Sequence, residues 1–416
     1  MKTYTSICLK PTILIVSVLC SLINVYAQTL DSVLTRQDAD TSKNMMNMDA
    51  VYNRPFLTFD KMPVAIGGYL EGNSIYSVED GVSEGLSFQA RRLTMFMSAS
   101  ISKRIKFLSE LEFEEGGKEI SIEFAAMDVA FHPLFNFRGG IIMNPIGAFN
   151  QNHDGPKWEF VERPDVGVNM LPATYSNAGY GIFGKAYKND WTFGYEAYLT
   201  NGFDNSIIDN EENKTFLPAS KENPERFEES NNGKPMLSGK LAIKNRKIGE
   251  VGISYMSGSY NKFEDDGLVI DEERGLSVFA IDFNTTISFT GTYIVGEMVF
   301  INVDVPETYT QQYGNKQKGY FVDVVQPVLK RKILDWENAT FNIAARVDYV
   351  DWNVGTFTQT NTNIGEHLFA VTPAISFRPT QQTVFRLNYR RQWQTDILDN
   401  PAAQRASWLF GFSTYF

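Results

Sequence analysis

Beyond residue 20 this chain has no cysteine. Its two cysteines, Cys8 and Cys20, both lie near the start, so the rest of the chain offers no disulfide, no thiolate metal site and no cysteine nucleophile. Histidine is nearly as scarce, with His132, His153 and His367 alone. His153 sits in Asn152-His153-Asp154-Gly155-Pro156 without a spaced partner, and no zinc-protease helix, nucleophile elbow or glycine-rich phosphate loop occurs. Neither an organic cofactor nor a metal is indicated, and the chain reads as a non-enzyme. Basic residues are in deficit, 38 against 49 acids, which argues against nucleic acid as a partner. After Ala27 no stretch of eighteen consecutive apolar residues occurs, so no helix is expected to span a membrane.

What is present begins with the features of an export leader. Lys2 and Lys10 precede an apolar run, Ile13 to Ile23, and Val25-Tyr26-Ala27 provides a small-residue cleavage site. Residues 1–27 are therefore read as a signal peptide. Cleavage there removes two lysines and takes the net charge from −11 to −13. Residues 28–63 are polar and aperiodic, apart from the run Met45-Met46-Asn47-Met48. They read as a periplasmic N-terminal tail carrying one short helix, or equally as a disordered leader.

The C-terminus is different. Trp408, Phe410, Phe412, Thr414 and Phe416 recur at period two, opposite Ser407, Gly411 and Ser413. One face suits lipid and the other a lumen. The same alternation sets Phe341, Ile343, Ala345, Val347 and Tyr349 against Asn342, Ala344, Arg346 and Asp348. Sixteen strand-like runs follow residue 63, near 64–77, 86–102, 105–114, 120–132, 135–144, 179–188, 190–200, 236–245, 248–260, 274–286, 288–300, 317–329, 338–350, 366–378, 382–393 and 405–416. Connectors alternate short and long. Short ones fall at Ser102-Lys103-Arg104, His132-Pro133-Leu134, Lys188-Asn189-Asp190, Asn245-Arg246-Lys247, Thr286-Ile287 and Arg378-Pro379-Thr380, with an intermediate one at Lys330–Glu337. Long ones fall at 78–85, 114–119, 144–178, 201–235, 261–273, 301–316, 351–365 and 394–404. This pattern predicts an all-β fold: a transmembrane antiparallel up-and-down β-barrel of 16 strands over 64–416, with short periplasmic turns and long extracellular loops. Unpaired backbone groups are not tolerated in hydrocarbon, so the sheet must close. The cell outer membrane is the expected location and its lipid the expected surroundings.

Alternation sends Arg92, Arg138, Lys240, Lys244, Arg346, Arg386 and Arg390 inward as candidate pore-lining cations, together with Glu110, Glu112, Asp282 and Asp348. Arg346, Arg386 and Arg390 form a basic stripe, or else pair with wall acids; both readings stand at this level. The third loop, 144–178, is long enough to fold inward and narrow the lumen. Its charged groups Asp154, Lys157, Glu162 and Arg163 would then stand at the constriction. The more acidic 201–235 reads as an outer, solvated loop. Small hydrophilic solutes or inorganic anions are the expected partners. The competing reading is a barrel with an enzymatic, adhesive or assembly role.

The block Arg138-Gly139-Gly140-Ile141-Ile142-Met143-Asn144-Pro145-Ile146-Gly147 is followed by Glu162-Arg163-Pro164, Leu171-Pro172-Ala173-Thr174, Gly179-Tyr180-Gly181-Ile182-Phe183-Gly184 and Asn201-Gly202. With the Phe88–Arg92 segment and terminal Phe416, this series resembles the phosphate-selective porin O/P family. The resemblance implies a sixteen-stranded porin, commonly a homotrimer, whose pore is narrowed by an inward third loop. It also implies phosphate-like anion transport through lumen arginines and a lysine cluster. The third loop here departs from that pattern, with Lys157 as its one lysine.

Overall fold

The computed structural model describes residues 34–37, 45–59, 63–114, 116–306, 314–357 and 359–416. The expected leader lies outside them, as does much of the tail. Sixteen long strands build the wall: β1 (Val64–Glu79), β2 (Val82–Ser100), β3 (Ile105–Glu114), β4 (Glu119–His132), β5 (Phe135–Met143), β6 (Ser176–Lys188), β7 (Trp191–Thr200), β8 (Met236–Asn245), β9 (Gly249–Ser259), β10 (Gly275–Ile287), β11 (Thr292–Val303), β12 (Lys316–Ile333), β13 (Trp336–Asp351), β14 (His367–Thr380), β15 (Thr383–Gln394) and β16 (Ala403–Tyr415). Each pairs antiparallel with its sequence neighbours, and β16 pairs with β1 from Arg405↔Glu79 to Tyr415↔Tyr69. The sheet is thus a closed antiparallel barrel of sixteen strands, as the periodicity required.

Every sequence-derived strand has its counterpart, but some connectors differ. The expected loop 78–85 is a two-residue turn, Asp80-Gly81, with φ of 46° and 86°. An Asp-Gly pair with both φ positive is the favoured hairpin turn, and it lets β1 and β2 extend past their expected ends. The turn expected at Thr286-Ile287 shifts to 288–291. The connector near Lys330–Glu337 contracts to Leu334-Asp335, because β12 runs on to Ile333 through irregular register between Pro327 and Leu329 and between Arg331 and Ile333.

The outer face is apolar. Ile343, Ile375, Leu387 and Phe410 stand exposed, while Asn342, Arg346, Asn388 and Ser413 point in and are buried. Aromatic residues gather in two bands. Near the short turns, Phe341, Phe377 and Phe385 form a stacked ladder, with Trp336 edge-on to Phe377. Toward the long loops lie Tyr320–Tyr349, Phe369–Trp393 and Tyr389–Trp408. Phe369 and Phe377 are eight residues apart on β14, roughly 27 Å along the strand and about 20 Å along the barrel axis at the usual tilt. That height matches a lipid core, with amphipathic rings at each boundary. Ile343→Arg, on the lipid side between the bands, should cost roughly 2–4 kcal/mol, measured by denaturant unfolding from lipid vesicles. Unchanged stability would mean that this face does not meet hydrocarbon.

Candidate functional site

The barrel interior is not an open tube. Residues 144–175 leave β5 and turn inward at Asn144-Pro145-Ile146-Gly147, then meet the wall at β8, β9 and β11. There Glu297 on β11 accepts the N–H groups of Ala148 (2.7 Å) and Phe149 (3.1 Å), Ser254 on β9 accepts from Gly147 (3.0 Å), and Lys240 on β8 donates to the Gly147 carbonyl (2.7 Å). Gly147 has φ +66°, and a Cβ there would strike the Glu297 carboxylate; glycine is required on both counts. The loop then returns along β12–β15 before joining β6. Phe149, Trp158, Val166, Met170 and Leu171 pack with Val299, Phe321 and Val350 from the wall into a dry cluster. The sequence predicted a charged inner face lining water. The loop instead gives part of the lumen an apolar core, because the small and apolar residues on the inner face of β10, β11 and β14 meet loop aromatics there.

Residues 201–235 also differ from expectation. Phe203, Ile207 and Leu217 join that same cluster, while Asp209, Glu211, Glu212, Glu222, Glu225, Glu228 and Glu229 remain exposed. This loop is amphipathic, and only its acidic side is solvated. Sequence reading weighed its charges and overlooked three apolar anchors.

All seven inward cations do point inward, yet none stands free in water. Arg92 bonds Glu114 (2.6 Å) and lies near Glu112 and Glu71. Arg138 grips Asp128 (2.7 Å), Glu196 (3.1 Å) and the Tyr198 hydroxyl (2.8 Å). Lys240 meets Asp282 at 2.6 Å, and Lys244 sits 3.7 Å from Glu250 and donates to the Met45 carbonyl. Arg346 is bidentate to Asp323 (2.6 and 2.7 Å) and donates to the Glu162 carbonyl (2.7 Å). Arg386 bonds Glu71 (2.9 Å) and the Phe160 carbonyl (2.6 Å). Arg390 bonds Asp165 (2.6 Å), with Asp348 at 3.9 Å. Of the two readings of the basic stripe, the geometry matches the paired one: Arg346, Arg386 and Arg390 hold the third loop against the wall.

The loop charges are committed to different degrees. Asp154 accepts two bonds from Arg54 (2.6 and 2.9 Å) and one from Tyr415 (2.6 Å). Lys157 donates to the Ala50 carbonyl (3.1 Å) and lies 3.4 Å from Asp154. Glu162 pairs bidentately with Arg91 (2.9 and 3.1 Å). Arg163 has Glu112 as its nearest acid, at 3.9 Å, and one of its terminal nitrogens is buried without a hydrogen bond. Burial by itself would raise the Glu162 carboxyl, but Arg91 outweighs it and brings the group down to about 2. Burial opposes Asp154 likewise, and Arg54 and Lys157 hold it well below the usual carboxylate range. A depressed carboxyl adds stability that is complete above its unfolded value and is lost as pH falls through its folded value. The loop clamps should therefore persist from pH 8 to pH 5 and weaken only as pH falls from about 4 toward 2. Limited proteolysis of the folded protein at stepped pH checks this, and release already at pH 5 would contradict it.

Two pockets form an outer vestibule of about 550 and 270 Å³, and both are lined by Arg163 and Val168. A third cavity of about 400 Å³ opens near the short turns. Between them stands a layer of buried polar groups: Glu110, Glu112, Asp154, Tyr69 and Arg54. Arg54 belongs to the segment before the barrel, and sequence reading missed it. Met46, Met48, Val51 and Phe56 were the available signal, since they are buried anchors in an otherwise polar stretch. A 3₁₀ turn, Asn47–Tyr52, carries two of them, Met48 and Val51, with Met46 just before it. His153, Glu110 and Asp154 converge within metal-ligating distance of one another. The Arg54 guanidinium already meets both carboxylates, at 2.9 and 2.6 Å.

No family model matches the chain. A stretch of 149 residues is 36% identical to an uncharacterized protein of Aquifex aeolicus (strain VF5), covering 34% of this chain and 33% of that one. Among solved structures, the anion-selective porin from Comamonas acidovorans superposes with a TM-score of 0.54 at 10% identity, covering 85% of this chain and 99% of that one. The outer membrane channel DcaP of Acinetobacter baumannii gives 0.51 at 14% identity (84% and 96% covered), and OprB of Pseudomonas putida gives 0.51 at 9% identity (85% and 94% covered). At such identities the likeness speaks for the fold: this chain has the sixteen-stranded barrel architecture of outer-membrane porins.

Proposed function

We propose that the chain is an outer-membrane porin passing small hydrophilic solutes by passive diffusion. The observation that carries this reading is the pair of wet spaces on one side of the barrel, vestibule above and cavity below, separated by a thin layer of charged side chains. A barrel serving only as scaffold has no need of charge along such a line. A modest anion preference is the finer reading. It rests on Arg163, which stands at the vestibule floor without a closely bonded acid, and not on the paired stripe. The resemblance to phosphate-selective porins adds phosphate as the anion to compare with chloride. A homotrimer is proposed with the same reading, in keeping with that resemblance. The β1–β2 hairpin rises beside the short β3 with Phe88 80% exposed, an apolar contact for a neighbouring copy.

Purified protein in planar bilayers tests the reading. Discrete current steps are expected, and a reversal potential measured in a salt gradient reports the charge preference. Arg163→Gln should move that potential toward cation selectivity, by a larger amount than neutralising Arg390. A folded barrel that carries no current, whether residues 28–56 are present or deleted, overturns the proposal.

A further inference from the structure

At Phe56 the chain enters a short strand, Phe56–Phe59, that pairs with Leu34–Gln37 and reaches the wall through β1, while residues 45–55 lie in no strand. Their polar contacts are with side chains and loops: Asn47 N–H with Glu250 (3.0 Å), Asn47 Nδ2 with the Ala148 carbonyl (2.9 Å), Asp49 with Lys185, and Ala50 with Lys157. Met46 and Met48 rest on Ala242, and Val51 on Leu108, Phe124 and Met143. The segment lies across the mouth rimmed by short turns and joins the sheet only at its end, where Leu57 and Thr58 pair with Ile66 and Ala65. The barrel closes through β16 and β1 whether or not it is seated.

Its one buried charge, Arg54, sits two residues before that short strand. Arg54 is 2% exposed and bridges a wall acid, Glu110 (2.9 Å), to a loop acid, Asp154 (2.6 Å), with its guanidinium 4.2 Å from the centre of the Phe96 ring. A buried ion pair contributes little net stability compared with an apolar replacement, but it fixes one register. An apolar side chain would anchor the segment as well. An arginine there makes the seating depend on two carboxylates that belong to different parts of the barrel.

Resting on the porin reading, we propose that residues 45–56 are a displaceable plug of the short-turn mouth, with Arg54 as its latch, and that its release joins the lower cavity to the vestibule. The latched chain conducts poorly or briefly, and the unlatched chain conducts freely.

The test uses full-length protein in planar bilayers, together with thiol labelling. Arg54→Ala removes the latch. Because it strands two buried carboxylates, Arg54→Ala with Asp154→Asn is the companion variant, and gel mobility with and without heating confirms that each barrel is folded. Leu108→Cys, beneath Val51, supplies one thiol in a chain otherwise free of cysteine beyond residue 20. Mean current should rise at least about fivefold in either latch variant. Labelling of the Leu108→Cys thiol by a charged reagent should accelerate by about tenfold or more. Current and labelling both unchanged would overturn the plug and leave the porin reading standing. Faster labelling with no current in any variant would support the plug and overturn the porin reading.

Discussion

Arg386→Met should give a barrel that conducts more and withstands less denaturant. Arg386 is 2% exposed and ties three parts together: Glu71 on β1, the Phe160 carbonyl, and, more loosely, the Gly155 and Trp158 carbonyls of the third loop. Methionine keeps much of the volume and none of the donors. Glu71 would retain Arg92, at 3.5 Å, as its closest cation, with both groups largely out of water. Removing one member of a buried pair costs about 3–5 kcal/mol, because the other charge is left uncompensated. The loop carbonyls lose their donor at the same time, so residues 155–160 lift from the wall. Single-channel recording and urea midpoints measure the two effects. Higher conductance with unchanged selectivity is the expected signature. A shift in selectivity alone would mean that Arg386 faces water and not the loop.

Gly147→Val attacks the same loop at its root. A β-branched residue at φ +66° is a conformational outlier, costing of order 1–3 kcal/mol in backbone strain alone. Its side chain would also displace the Glu297 carboxylate from the N–H groups of Ala148 and Phe149. The inward turn cannot form, and the loop should leave the lumen while the sixteen strands stay paired. The Lys157-Trp158 bond then becomes open to trypsin added outside, and conductance rises further than with Arg386→Met. A folded Gly147→Val barrel that resists trypsin and conducts as before would show that the loop is held from its far end. Serine at this position retains the strain without the branch and should fall between.

Strands were legible in the sequence because lipid demands strict alternation: a single wrong-facing charge in the hydrocarbon is costly, so the period-two signal at 341–349 and 383–393 is clean. The inward direction of Arg92, Arg138, Lys240, Lys244, Arg346, Arg386 and Arg390 followed from the same rule. Their partners did not follow. Periodicity places a side chain on a face but cannot reveal that Asp323 stands across from Arg346 on the neighbouring strand, or that a loop carbonyl 184 positions earlier completes its shell. The dry cluster was hidden for a related reason. Val278, Ala280 and Val299 lie on inward faces, and inward apolar residues reveal packing only once their loop partners are known. Arg54 escaped notice because a short segment seated by scattered anchors has no period at all.

The seam between the first and last strands sets when this molecule can come into being. Tyr69 pairs with Tyr415, and the amide of Phe416 donates to the carbonyl of Gly68 (3.0 Å). Until β16 is in place, β15 and most of β1 each present an unpaired sheet edge. Contacts this distant in sequence form slowly, and exposed edges invite wrong partners meanwhile. Closure of this barrel therefore waits on β16, and deleting Ala403–Tyr415 would abolish it far more completely than a comparable loss from the loops.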